Sequence, residues 1–127
     1  MREMSTKEGR RARSDFVLNL REGLNLNIRF WLSKNGKIVC ASGRINLLEN
    51  IERFGSISKA AKSMNISYRH AWVLLDGMRK AYGKNIVKTK VGGVKGGGAE
   101  LTEEGRKLIE RFYHYKKIIS ERLKGVK

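Results

Sequence analysis

The chain has 127 residues, 40% of them hydrophobic, and carries 28 Lys and Arg against 12 Asp and Glu, for a formal net charge of +16 and a pI near 10.4. That length and apolar content suit one domain with a modest core rather than two, and the charge excess points to a polyanionic partner, nucleic acid first. With no apolar run of about 18 residues, no signal-peptide core and no helix with a uniformly basic face, a membrane role is not expected and a cytoplasmic protein is; a single Cys40 leaves no intramolecular disulfide and no cysteine-based zinc site.

Residues Met1 to Asp15 carry Arg2, Lys7, Arg10, Arg11 and Arg13 without apolar periodicity, and predict a basic flexible arm over 1–15 ahead of a single domain over 16–127. Two readings of the arm stand: it touches phosphates, or it is a solvated tail. From Leu24 to Ser33 the alternation is strict, with Leu24, Leu26, Ile28, Phe30 and Leu32 on one side, as in a half-buried strand. Asn35-Gly36 is a strong two-residue hairpin signal and predicts pairing of Leu32 with Val39 and Phe30 with Ala41. Trp31 then lies opposite Cys40 on the other face, covered either by a neighbouring subunit or by the N-terminal segment.

A first helix is predicted over Arg44 to Phe54, with Leu47, Leu48, Ile51 and Phe54 on one stripe and Gly55 as its stop. The segment GSISKAAKSMNISYRHAW, Gly55 to Trp72, reads as two short helices joined by a tight turn. Ser56 caps the first, whose Ile57, Ala60, Ala61 and Met64 recur at i, i+3, i+4 and i+7. Asn65 tolerates the left-handed turn, Ile66 plugs the corner and Ser67 caps the second helix. Next, Ile86 to Val91 is a β-branched run, followed by a glycine tract and the short return Ala99-Glu100-Leu101, together a hairpin with a long flexible tip. Thr102 caps a last helix that opens on Glu103 and Glu104 and becomes basic further on, as the helix dipole prefers. The expected fold is mainly α with small β: a winged helix-turn-helix with an additional N-terminal β-hairpin and a long C-terminal helix.

In helix-turn-helix proteins the first turn of the second helix meets base edges in the major groove. Ser67, Arg69, His70 and Val73 are therefore the candidate base contacts: Arg69 offers a planar fork for guanine, and Val73 an apolar contact for a thymine methyl. Ala71, Trp72, Leu75 and Met78 are expected to face the core, and Asp76 to repel phosphates, so that only the first two turns enter the groove. Tyr68 has two readings, base contact or a hydroxyl on a phosphate. Candidate phosphate contacts are Ser56, Lys59, Lys62, Tyr68, Lys88, Lys90 and Lys95, the last three beside glycines that let the backbone approach a sugar-phosphate surface. Neither G-x-G-x-x-G nor G-x-x-x-x-G-K-[ST] fits the glycine tract, so a nucleotide loop is not expected. In the last helix Leu108, Phe112, Tyr115 and Ile119 form a seam that either pairs with a symmetry mate or packs on the first helix of its own domain. No nucleophile, base and orienting group fall at usable spacing; no enzyme, catalytic residue, metal or cofactor is expected.

GSISKAAKSMNISYRHAW followed by GGVKGGGAELTEEGRKLI resembles the N-terminal DNA-binding domain of ModE-type molybdate-responsive regulators over residues 24–123. The resemblance implies a winged-helix dimer, built through the helices at 44–54 and 103–124, whose recognition helix reads a palindromic operator in duplex DNA. The chain stops at Lys127 just after its last helix, so a standalone form lacking the molybdate-binding domain is expected, with no small-molecule effector evident. Three function classes remain: a sequence-specific transcription regulator, a sequence-independent architectural or RNA-binding protein, or a protein-interaction module that binds a partner through its last helix.

Overall fold

The computed structural model describes residues 14–91 and 98–126. Lys95 and the arm to residue 13 lie outside them. The described residues form four α-helices and three two-stranded antiparallel sheets: β1 (Phe16–Asn19), β2 (Asn25–Ile28), β3 (Leu32–Lys34), β4 (Lys37–Cys40), α1 (Ser42–Phe54), α2 (Ile57–Ser63), α3 (Tyr68–Tyr82), β5 (Val87–Lys90), β6 (Gly98–Leu101) and α4 (Glu103–Leu123). They fall into two compact units, one running to Phe30 and resuming at Ile118, the other Trp31–Lys117.

In the first unit, β1 pairs with β2 from Phe16↔Ile28 to Asn19↔Asn25, around a turn in which Glu22 and Gly23 take positive φ. The single strand expected over Leu24 to Ser33 is thus two. The chain leaves β2 after Ile28 because Asp15 draws Phe30 aside: its carboxylate accepts the Phe30 amide at 2.9 Å, and the Phe16 and Phe30 rings stack with centroids 6.0 Å apart. Alternation does not produce burial here, since Leu24 is 62% exposed and Leu26 41%.

In the second unit, Asn35 and Gly36 both take positive φ, the two-residue turn that their sequence signals. Lys34 pairs with Lys37 and Ser33 with Ile38, but the register then shifts, so that Leu32 faces Cys40 and not Val39, and the β3–β4 ladder ends there, short of the expected Phe30–Ala41 row. The bulge has a partner. The Arg44 guanidinium donates at 3.1 Å to the carbonyls of both Ile38 and Val39, and the extra residue lets consecutive Val39 and Cys40 both be buried. Trp31, expected opposite Cys40, lies outside the strands and is half exposed.

Helix α1 begins two residues earlier than predicted and ends on Gly55 in the left-handed conformation, whose amide donates to Ile51 O at 2.8 Å. Ile45, Leu47, Leu48 and Ile51 are buried, while Phe54, expected on the same stripe, is 38% exposed. With Ala60 and Ala61 of α2, Ala71, Leu75 and Met78 of α3, Ile86, Leu101, Leu108 and Phe112, these residues make the core. Strand β6 is pinned to the corner after α1: Ala99 N donates to Gly55 O at 2.9 Å, and a side chain at Gly98 would crowd that same carbonyl. Thr102 caps α4, its hydroxyl accepting the Gly105 amide at 3.1 Å and donating to Asn85 O at 2.7 Å.

Leu108 and Phe112 are 2% and 1% exposed within the single chain. Of the seam that allowed either a symmetry mate or the chain's own packing, these two are therefore buried within the chain itself. Tyr115 is exposed and Ile119 half-buried.

Candidate nucleic-acid interface

Helices α2 and α3 meet at a turn made of three local devices. Ser56 Oγ accepts the Lys59 amide at 3.1 Å, Asn65 takes φ 61°, and Ser67 Oγ accepts the His70 amide at 2.9 Å. Each satisfies or redirects backbone groups that a helix end leaves orphaned. Both serine hydroxyls keep their own proton for an outside acceptor. Ile66, half-buried, returns its amide to Ala61 O at 3.0 Å and fills the corner.

This geometry pushes the first two turns of α3 outward. Tyr68, Arg69, His70 and Val73 are all exposed, Val73 by 58%, and Lys59 and Lys62 are exposed on the neighbouring α2. Neither Arg69 nor His70 has an ion-pair or side-chain hydrogen-bond partner among the described residues, so the guanidinium fork and the imidazole are available to a ligand. Trp72 departs from expectation: it is 38% exposed and meets Tyr68 edge to face, ring centroids 6.3 Å apart. At i and i+4 the two rings share one helix face, and the pair holds Tyr68 on the surface. Ala71, Leu75 and Met78 face the core as predicted.

Charge further along α3 is paired internally. Asp76 binds Arg79 at 2.6 Å and Lys80 at 3.1 Å, and these hydrogen bonds, Arg79's first, hold its carboxyl below the usual range. The one cation of α3 without an ion-pair partner among the described residues, Arg69, is thus at its N-terminal end, where the polar cap also lies.

The β5–β6 hairpin runs from Val87↔Leu101 to Lys90↔Gly98. Its alternation sends Lys88 and Lys90 outward, and both reach Glu100 across the ladder, at 3.5 and 3.8 Å. Glu100 is a participant that sequence reasoning missed. Its link to the lysines depends on strand register, which the glycine tract between them conceals. Such exposed pairs are weak and exchangeable, contributing about 0–1 kcal/mol each.

Among the described residues no group of three or more His, Cys, Asp and Glu is placed to hold a metal ion, and no helix is long and apolar enough to cross a membrane.

No protein-family model matches the chain. Among curated proteins, the molybdenum transport protein ModE of Azotobacter vinelandii is 44% identical over 69 residues, covering 54% of this chain and 26% of that protein. The DNA-binding transcriptional dual regulator ModE of Escherichia coli K12 is 36% identical over 89 residues, 70% of this chain and 34% of that one. The molybdenum-pterin-binding protein MopA of Rhodobacter capsulatus is 36% identical over 81 residues, 64% and 31% respectively. The matched stretches are thus a quarter to a third of these relatives' lengths. ArgP from Mycobacterium tuberculosis is a distant structural neighbour, with TM-score 0.46 and 18% identity over 63% of this chain and 28% of that one. The sequence relatives converge: over 54–70% of its length the chain is a homologue of ModE transcriptional regulators, consistent with a ModE-type DNA-binding domain.

Proposed function

We propose that this chain is a cytoplasmic transcription regulator that binds duplex DNA through a winged helix-turn-helix, with α3 as recognition helix and the β5–β6 hairpin as wing. The observation that carries the reading is the exposed, serine-capped first turn of α3, with Arg69 and His70 unpaired among the described residues and α2 lysines alongside. Homology to ModE regulators supports the same partner.

Arg69, His70, Ser67 and Val73 read base edges. Ser56, Lys59, Lys62 and the Tyr68 hydroxyl hold phosphates beside the groove, and Lys88, Lys90 and Lys95 hold the backbone from the wing. On contact, Lys88 and Lys90 exchange Glu100 for phosphate oxygens. A homodimer on a palindromic operator would use the part of α4 that the core leaves free, Tyr115 and Ile119, and not Leu108 or Phe112.

Selection of bound duplexes from a random library at near-physiological salt tests this reading. The expected result is an inverted repeat with half-sites about one helical turn apart, 10–10.5 bp. Arg69→Ala should relax preference at one base position by about 1–3 kcal/mol, whereas Lys90→Ala should weaken operator and random DNA alike and reduce the salt slope by about one. Absence of enrichment, with equal binding to random duplex and single-stranded RNA, would replace the regulator by a sequence-independent nucleic-acid binder.

A further inference from the structure

At the C-terminal end of α3, Tyr82 is 8% exposed and gathers three cations. The Lys34 ammonium donates to Tyr82 O at 3.0 Å and lies 5.5 Å from the ring centroid. Lys84 also stands 5.5 Å from that centroid, and Arg111 Nη1 donates to the phenolic oxygen at 3.3 Å. One carboxylate faces them: Glu104 accepts from the Tyr82 hydroxyl at 3.5 Å and pairs with Lys84 at 3.7 Å. Among the described residues Lys34 and Arg111 have no carboxylate within 4.0 Å, so two of the three charges are left uncompensated.

Tyr82 and the three cations line an open cleft of about 590 Å³ together with Leu32, Val39, Leu108, Ser33 and Tyr115, a lining of mixed polar and apolar character. The volume falls in the range of small-molecule sites, about 300–1,000 Å³, and such sites combine an apolar lining with a few convergent polar groups. The donors are also unspent. The Lys34 ammonium uses one of three N–H groups on Tyr82 O, and the Arg111 guanidinium has donors beyond the one on the phenol. Like charges gathered at one side chain repel one another, and an anion between them relieves that repulsion.

We propose that this cleft is a binding site for a small amphipathic anion, whose carboxylate or phosphate meets Lys34, Lys84 and Arg111 while its ring or aliphatic body lies on Leu32, Val39 and Leu108. The site is separate from the DNA-contacting turn of α3 and does not rest on the DNA reading.

Titration of the isotope-labelled full chain with phenyl phosphate, phenylacetate and neutral benzyl alcohol, followed by amide NMR, tests the proposal. Saturable shifts at Lys34, Tyr82, Lys84 and Tyr115 with one or both anions are expected, and the better anion names the headgroup. Arg111→Gln and Lys84→Gln, both at exposed positions, should each weaken that anion about tenfold, as loss of one charge-assisted hydrogen bond does. The proposal is overturned if benzyl alcohol binds as well as the anions. It is equally overturned if neither anion saturates, or if their shifts gather at Arg69, Lys88 and Lys90, which would report general attraction to a basic protein.

Discussion

The β1–β2 and β5–β6 hairpins have the same length and pairing, four antiparallel rows each, yet opposite fates. In β5–β6 the inward positions are spent: Ala99 is 6% and Leu101 1% exposed, and Ala99 N is bonded to Gly55 O at the end of α1. In β1–β2 no side chain is fully buried, and Val17 remains 55% exposed. A two-stranded sheet offers a face but cannot cover it, and burial comes from the element that packs on that face.

The sharpest test of this contrast is Leu101→Ala. It should cost about 2–5 kcal/mol of unfolding free energy in urea, since β6 cannot relax away from α1 to fill the cavity.

Next comes Cys40, fully buried beside the bulge in β4, where burial raises its thiol from 9.0 to about 11. A raised acid stabilises the fold below its unfolded value and loses that contribution as pH climbs through the folded one. Relative to Cys40→Ala, the native chain should therefore lose on the order of 2–3 kcal/mol between about pH 9 and pH 11. Equal pH dependence of the two proteins would show that the thiol ionises freely.

Gly105→Ala comes third. Alanine is the better helix former by about 1 kcal/mol, but a Cβ at Gly105 would run into the Ile86 carbonyl, which accepts the Thr102 amide at 2.9 Å. Separating that backbone contact should outweigh propensity and give a net loss of about 1–3 kcal/mol by thermal melting. The smallest effect belongs to the first hairpin: Val17→Thr keeps β-branching at an exposed position and should move stability by no more than about 0.5 kcal/mol. A larger loss there would reveal cover on that face and break the contrast.

The same division between local and long-range effects governs what could be read in advance. The turn between α2 and α3 was legible because each device in it acts within a few residues: Ser56 and Ser67 bond amides three positions on, and Asn65 alone takes the left-handed step. The exposed arc of Arg69, His70 and Val73 follows from helical spacing once that turn is placed. Trp72 departs from the core position that an aromatic at helical spacing predicts, because its partner Tyr68 lies on the surface. The shared seam of α4 was likewise ambiguous, since a stripe of Leu108, Phe112, Tyr115 and Ile119 does not say which neighbour it meets.

By itself the sequence determined the helices and their caps, the Asn35-Gly36 turn, the polar first turn of α3 and the basic balance, because these rest on backbone preference, on contacts within four residues and on composition. Only the tertiary structure decided that Arg44 holds a bulge that shifts β3 against β4, that Leu108 and Phe112 serve the core, that Glu100 bridges Lys88 and Lys90, and that three cations meet at Tyr82. Each of these joins residues that the chain brings together only when separate elements pack, and neither periodicity nor local propensity carries information about that distance.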